Sequence, residues 1–190
     1  MAYVNLSRLF NEIPTSINNE RDISEFYSNS LSKGKGWDSL LKKNRVVILA
    51  EAGSGKTAEI KEQSRSLLSE GKYSFFLRLE DIKDNFDDAF DHGDVSIFSN
   101  WLSGNEVGYF FLDSVDEAKL ANERDFHKAL RCFTKRINVG KSRAKIFLTS
   151  RGSSWRPQTD LAFVNDLLSI TDKEETVFEV YSFSDLSYEQ

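Results

Sequence analysis

The chain has 190 residues, of which 39% are hydrophobic and 13% aromatic, and its formal net charge is −5. This length and composition suit one globular domain with its own core and exclude a chain that is disordered throughout. The mild acidity argues against a surface built throughout for nucleic acid. Local basic clusters leave this alternative open, but nucleic acid is not the expected partner.

Cysteine usage and hydropathy indicate the compartment. The one cysteine, Cys132, has no partner for an internal disulfide, and the first thirty residues lack the charged start and apolar stretch of a secretory signal. No apolar run approaches the roughly 18 to 20 residues that span a bilayer. We expect a cytoplasmic chain without a membrane segment.

Along the chain, predicted strands alternate with predicted helices. Residues 1–36 are polar and predict a leader or adaptor segment, followed by a folded core at 37–190 that starts with a short helical pattern. Strands are predicted from continuous β-branched or aromatic runs at 45–50, 73–79, 107–113, 144–150 and 176–183. Helices are predicted from apolar spacing at 56–70, 95–102, 121–138 and 160–169. This alternation predicts an α/β fold in which parallel strands bring their carboxyl ends, and the motifs that follow them, to one edge.

The segment AEAGSGKT at 50–57 lies directly between the clearest strand and a helix, and it matches the phosphate-loop pattern G-x-x-x-x-G-K-[ST] except that Ala50 replaces the first glycine. Gly53 and Gly55 let the backbone turn so that successive N–H groups face phosphate oxygens. Lys56 is expected to reach the β- and γ-phosphates, and the Thr57 hydroxyl to ligate Mg²⁺. The predicted nucleotide-binding residues are Ala52, Gly53, Ser54, Gly55, Lys56 and Thr57.

A carboxylate follows the predicted strand at 107–113. Asp113 is the expected magnesium-side carboxylate, and Thr57 completes the predicted metal site. Asp116 and Glu117 come next, and either is a candidate to orient and deprotonate an attacking water, with Glu117 preferred. The alternative is that this acidic pair caps the start of a helix.

An arginine follows the predicted strand at 144–150. Arg151 is expected to stabilise charge on the γ-phosphate, and Arg156 is a weaker second candidate. The alternative is a surface arginine that happens to follow a strand. ATP is favoured over GTP because the acidic strand is not followed by D-x-x-G and no N-K-x-D occurs.

Other polar features are weaker. Trp37 either stacks on adenine or covers the core. The Asp-rich segment at 81–94 lacks the ligand spacing of a calcium loop and predicts a solvated, mobile connection. His92, His127 and Cys132 lack the spacing of a metal site. The basic residues between 131 and 145 either contact nucleic acid or form a solvated helix face and its turn, and the solvated face is favoured.

With these motifs in place, the chain resembles the STAND class of P-loop ATPases, and within it the NACHT-type modules of innate-immune and bacterial antiphage proteins. The resemblance covers about residues 37–190 and is carried by AEAGSGKT at 50–57, FFLDSVDEA at 110–118 and IFLTSR at 146–151. It implies a three-layer P-loop fold with a five-stranded parallel sheet of order 5-1-4-3-2. It also implies slow, regulatory ATP hydrolysis, in which an ADP-bound resting form gives way to ATP-bound subunits that assemble into a homo-oligomer.

Residue by residue, the resemblance implies five roles. Lys56 and Thr57 match the phosphate and magnesium groups, Asp113 the metal carboxylate, Asp116 and Glu117 the acidic pair, and Arg151 the sensor. The lid, winged-helix and sensor regions of the family are missing after residue 190, so the resemblance implies an amino-terminal fragment that partners the rest of a larger protein. Two alternatives stay open: another P-loop enzyme, such as an AAA-type motor or a kinase, and a non-catalytic module that holds nucleotide only for stability.

Overall fold

The computed structural model describes residues 8–14, 34–116, 123–170 and 177–183. Within these ranges the strands are β1 Phe10–Ile13, β2 Arg45–Leu49, β3 Tyr73–Arg78, β4 Phe90–His92, β5 Gly108–Asp113, β6 Ala144–Ser150 and β7 Glu179–Phe183. The helices are α1 Trp37–Leu40, α2 Lys56–Ser69, α3 Leu79–Ile82, α4 Val95–Ser103, α5 Glu123–Arg136 and α6 Pro157–Leu168. The predicted α/β fold is confirmed, and no helix among the described residues is long and apolar enough to cross a bilayer.

The strands form one mixed sheet of order β1-β7-β2-β6-β5-β3-β4. The five strands from β7 to β3 in this order pair in parallel, whereas β1 and β4 pair antiparallel at the two edges. The prediction of five parallel strands alone is therefore wrong, since the sheet has two further strands. Both were missed because they have only four and three residues and lack the continuous apolar run of a central strand.

Strand β1 comes from the polar segment that the sequence assigned to a leader. Phe10 is fully buried, and its ring lies 4.8 Å from that of Trp37 and 5.4 Å from that of Phe183. Its backbone also exchanges two hydrogen bonds with Lys35. The described part of the leader thus packs on the same sheet as the core, while residues 1–7 and 15–33 lie outside the described ranges.

Alternate residues of the central strands face two separate apolar layers, as the period of a strand requires. On one face, Ile48 of β2 and Phe111 of β5 pack with Ile60 and Leu67 of α2. On the other face, neighbouring residues of the same strands pack with α4, α5 and α6. Burial on both faces explains the continuous hydrophobicity by which these strands were predicted.

Trp37 belongs to the face that carries α2. Its ring lies 6.2 Å from that of Phe111 and 6.4 Å from that of Phe147, and its indole N–H donates to Glu59 at 2.8 Å. These contacts match the alternative in which Trp37 covers the core.

The Asp-rich segment at 81–94 contains more regular secondary structure than predicted. Ile82 and Phe86 are buried, and β4 lies inside the segment. The Asp side chains of the segment are exposed, as the prediction of a solvated connection requires, and some of them also serve as caps or ion pairs. The Asp94 carboxylate, for example, accepts the Ile97 N–H at 2.8 Å and caps α4.

Candidate phosphate-binding site

The loop at 50–57 joins β2 to α2 with the geometry that its glycines allow. Gly53 and Gly55 have φ angles of 76° and 82°, in the left-handed region that favours glycine. Gly55 is the N-cap of α2 and has no side chain, so the first N–H groups of the helix stay available at the loop. These groups and the helix dipole make the loop a site for an anion.

Ala50, the departure from the phosphate-loop pattern, is accommodated. The residue is buried, and its N–H donates to the Ser150 carbonyl at 3.1 Å. Its φ angle is not positive, because among the described residues Ser114 alone combines a side chain with a positive φ. Alanine therefore fits this position without backbone strain.

A cleft of about 560 Å³ opens above the loop, within the usual size range of small-molecule sites. Residues 51–58 line it, together with Lys61, Ser114, Asp116 and Arg151. The structure thus brings every predicted binding residue from Ala52 to Thr57 to one cleft, with two of the three predicted catalytic residues beside them. The third, Glu117, lies outside the described residues.

The predicted metal ligands are in contact, although 56 residues separate them along the chain. The Thr57 hydroxyl donates to one carboxylate oxygen of Asp113 at 2.8 Å, and the Thr149 hydroxyl donates to the other. Asp113 is only 2% exposed. A hydroxyl and a carboxylate side by side are hard oxygen donors, the kind that Mg²⁺ takes from proteins.

Asp116 links two cations at the floor of the cleft. One of its carboxylate oxygens lies 3.2 Å from the Lys56 ammonium, and the other lies 2.7 Å from Nε of Arg151. Asp116 is 2% exposed, whereas the Arg151 side chain is 38% exposed and reaches the cleft from its rim. The Asp116 carboxylate therefore positions both cations, a role that goes beyond capping the start of a helix. Glu117 as the base stays a prediction.

Two further residues, Ser114 and Thr149, support the Asp113 carboxylate and the turn after β5, and sequence reasoning did not select them. Ser114 has a φ of 67°, and its N–H donates to the fully buried Thr149 hydroxyl at 3.1 Å. Thr149 therefore connects the strained turn after β5 to the Asp113 carboxylate. The one signal in the sequence was the pair of hydroxyl residues that ends the apolar run of β6.

Arg8 is a third residue that sequence reasoning missed. Its guanidinium donates to the Ser54 carbonyl of the loop at 2.6 Å and lies 5.1 Å from the ring centroid of Phe183. The local sequence around Arg8 gives no signal of this contact, because the contact forms only when β1 pairs with β7.

The other candidate side chains lie in structural contacts. Arg156, the second arginine candidate, is exposed and pairs with Glu123 at 2.8 Å. The His127 and Phe163 rings lie 3.9 Å apart. In the predicted basic face, three side chains donate to backbone carbonyl oxygens of other segments: Lys141, Arg143 and Lys145.

No protein-family model matches the chain, and no curated protein matches it in sequence. The contacts around the loop are the basis for the function proposed below.

Proposed function

We propose that this chain binds Mg·ATP and hydrolyses it slowly, as the nucleotide switch of a larger signalling or antiphage defence protein of the STAND/NACHT type. The observation that carries the proposal is the convergence of Lys56, Asp116 and Arg151 on the loop beside the Thr57–Asp113 pair. The strand order supports it. The five parallel strands, numbered by themselves along the chain, run 5-1-4-3-2 across the sheet, the order that the resemblance implies.

Different residues around the cleft would hold different parts of a triphosphate. The N–H groups of the loop and the Lys56 ammonium would bind the phosphate oxygens. Thr57 and Asp113 fit Mg²⁺, which when bound supplies charge neutralisation on the β- and γ-phosphates. Because Asp113 is buried and also accepts from Thr149, its carboxylate is held in one orientation toward Thr57.

The ion pairs of Asp116 suggest how ATP is distinguished from ADP. A γ-phosphate carries the same sign of charge as Asp116 and would compete for the same two cations, Lys56 and Arg151. We expect ATP to draw Arg151 away from Asp116, while ADP leaves the pair of Arg151 and Asp116 intact. Movement of Arg151, at the rim of the cleft, would then report the nucleotide state to neighbouring parts of the protein.

Binding is tested by calorimetry with Mg·ATP and with Mg·ADP. Lys56→Ala is expected to abolish binding, because the variant removes the ammonium group from the loop. Lys72→Ala is the matched control, since that lysine lies in the exposed turn after α2 and pairs with Glu70. A folded wild-type protein that binds neither nucleotide would refute the proposal.

Hydrolysis is tested separately by phosphate release. Glu117→Gln is expected to retain binding and to stop turnover; normal turnover would mean that Asp116, or neither residue, is the base. Phosphate transfer to an added acceptor would favour a kinase. Fast, steady release of phosphate would favour a motor. ADP retained through purification without turnover would favour a module that holds nucleotide for stability.

A further inference from the structure

We propose that Arg8 is a nucleotide-binding residue that contacts the α-phosphate, on the side of the loop opposite to Arg151. This inference rests on the proposed nucleotide site and adds a residue that lies outside its phosphate-loop motif. It assigns the polar segment before the core a direct part in binding.

The position of Arg8 follows from the strand order. Strand β2, which leads into the loop, has β6 on one side and β7 on the other. Arg151 follows β6, whereas Arg8 lies over Phe183, the last residue of β7. The two guanidinium groups therefore approach the loop from opposite sides.

The metal side of the loop sets the direction of the nucleotide. Asp113 lies at the end of β5, beyond β6, so Mg²⁺ and the γ-phosphate belong on the side of Arg151. The α-phosphate and the nucleoside then extend toward β7. Arg8 is next to this half of the loop, because its Nη2 lies 3.9 Å from where a Cβ of residue 55 would be.

The burial of Arg8 points to an anionic ligand. Arg8 is 9% exposed, yet its contacts among the described residues are a carbonyl oxygen and an aromatic ring, with no carboxylate. A buried cation without a counter-charge is unfavourable. A guanidinium has five N–H donors, and the bond to Ser54 leaves others to reach a phosphate. A phosphate at the loop would supply the missing charge.

The α-phosphate is common to ATP and ADP, so Arg8 is expected to act on both equally. Arg8→Gln should weaken binding of Mg·ATP and Mg·ADP by the same factor, roughly 10- to 100-fold for a lost charge-assisted hydrogen bond. Arg8→Lys keeps the charge but lacks the planar set of guanidinium N–H donors, so its affinity for both nucleotides should lie between those of wild type and Arg8→Gln. Arg151→Gln, in contrast, should weaken ATP more than ADP.

The test is calorimetry with both nucleotides on wild type, Arg8→Gln, Arg8→Lys and the control Arg65→Gln. Arg65 is an exposed arginine of α2 paired with Glu62, and its variant should bind as wild type does. Circular dichroism and thermal melting check that each variant is folded. An equal loss for ATP and ADP in folded Arg8→Gln supports the proposal. Unchanged affinity, or a loss for ATP alone, overturns it.

A second readout separates direct contact from support of the loop. In ¹⁵N spectra of the wild-type arginine side chains, assigned with Arg8→Lys, the Arg8 Nε–H signal is expected to shift when Mg·ADP is added. A signal that stays in place while Mg·ADP binds overturns the proposal even if Arg8→Gln fails to fold. If wild type binds neither nucleotide, the proposed function itself fails, and this inference fails with it.

Discussion

Replacing Thr149 with valine tests whether this hydroxyl stabilises the Asp113 carboxylate and the turn after β5. Valine has nearly the same shape but no hydroxyl, so the substitution removes two hydrogen bonds from a fully buried position. The Asp113 carboxylate loses a donor, and the Ser114 N–H, in its strained turn, loses its acceptor. Thr149→Ser keeps the hydroxyl and serves as the conservative variant.

The expected magnitude follows from these two bonds. A hydrogen bond to a charged group contributes about 1.5 to 3 kcal/mol and a neutral one about 0.5 to 1.5, so Thr149→Val should lower the free energy of unfolding by about 2 to 4 kcal/mol. For a domain of this size the melting temperature should fall by roughly 4 to 16 °C. Because Asp113 loses part of its support, the affinity for Mg·ATP is expected to fall as well.

Urea denaturation followed by circular dichroism measures the change in stability. The matched control is Thr134→Val on α5, where a half-buried hydroxyl donates to the Leu130 carbonyl of its own helix at 2.8 Å. This carbonyl is a helical acceptor already, so the control should stay within about 0.5 kcal/mol of wild type. Equal effects of the two valine substitutions would refute the role of Thr149.

Three further predictions concern parts of the fold away from the cleft. Gly140→Ala places a methyl group 2.5 Å from the Trp101 ring and should lower the free energy of unfolding by about 1 to 3 kcal/mol; Gly36→Ala, with nothing within 4 Å, is its control in the same urea titration. Arg45→Met leaves four backbone carbonyl oxygens without their buried donor and should lower stability by about 2 to 4 kcal/mol in thermal melting. Burial lowers the pKa of His92, and two basic side chains of α2, Lys61 and Arg65, lower it further. The unfolded chain then binds this proton more readily, so stability should fall as the pH drops below about 6.5, and His92→Gln should reduce the fall between about pH 7.5 and about pH 5.5.

The central strands and the position of the loop could be predicted from local pattern. Residues 46–49 are apolar on both faces because β2 is buried on both faces, and the glycines at 53 and 55 take the left-handed angles that their pattern indicates. The edge strands could not be predicted in this way. A short polar strand such as β1 is stable only through its pairing with a neighbour. Four residues are too few to show the alternating hydrophobic pattern by which a strand is predicted.

The sequence also predicted correctly that the polar residues lie at the carboxyl ends of the parallel strands, where the ends of neighbouring strands meet. It could not determine which of them touch. The contact of Arg8 with Ser54 depends on β1 lying beside β7, and the contact of Thr149 with Asp113 depends on β6 lying beside β5.

By itself, then, the sequence determined the α/β class, the position of the glycine-rich loop at 50–57 and the candidate residues from Ala52 to Thr57, since each of these follows from local spacing and residue type. The tertiary structure alone decided that Asp116 bridges Lys56 and Arg151, and that an arginine of the polar segment reaches the loop. The physical reason is that an ion pair or hydrogen bond between distant residues depends on strand order and side-chain direction. Neither property has a signature in the spacing of residues along the chain.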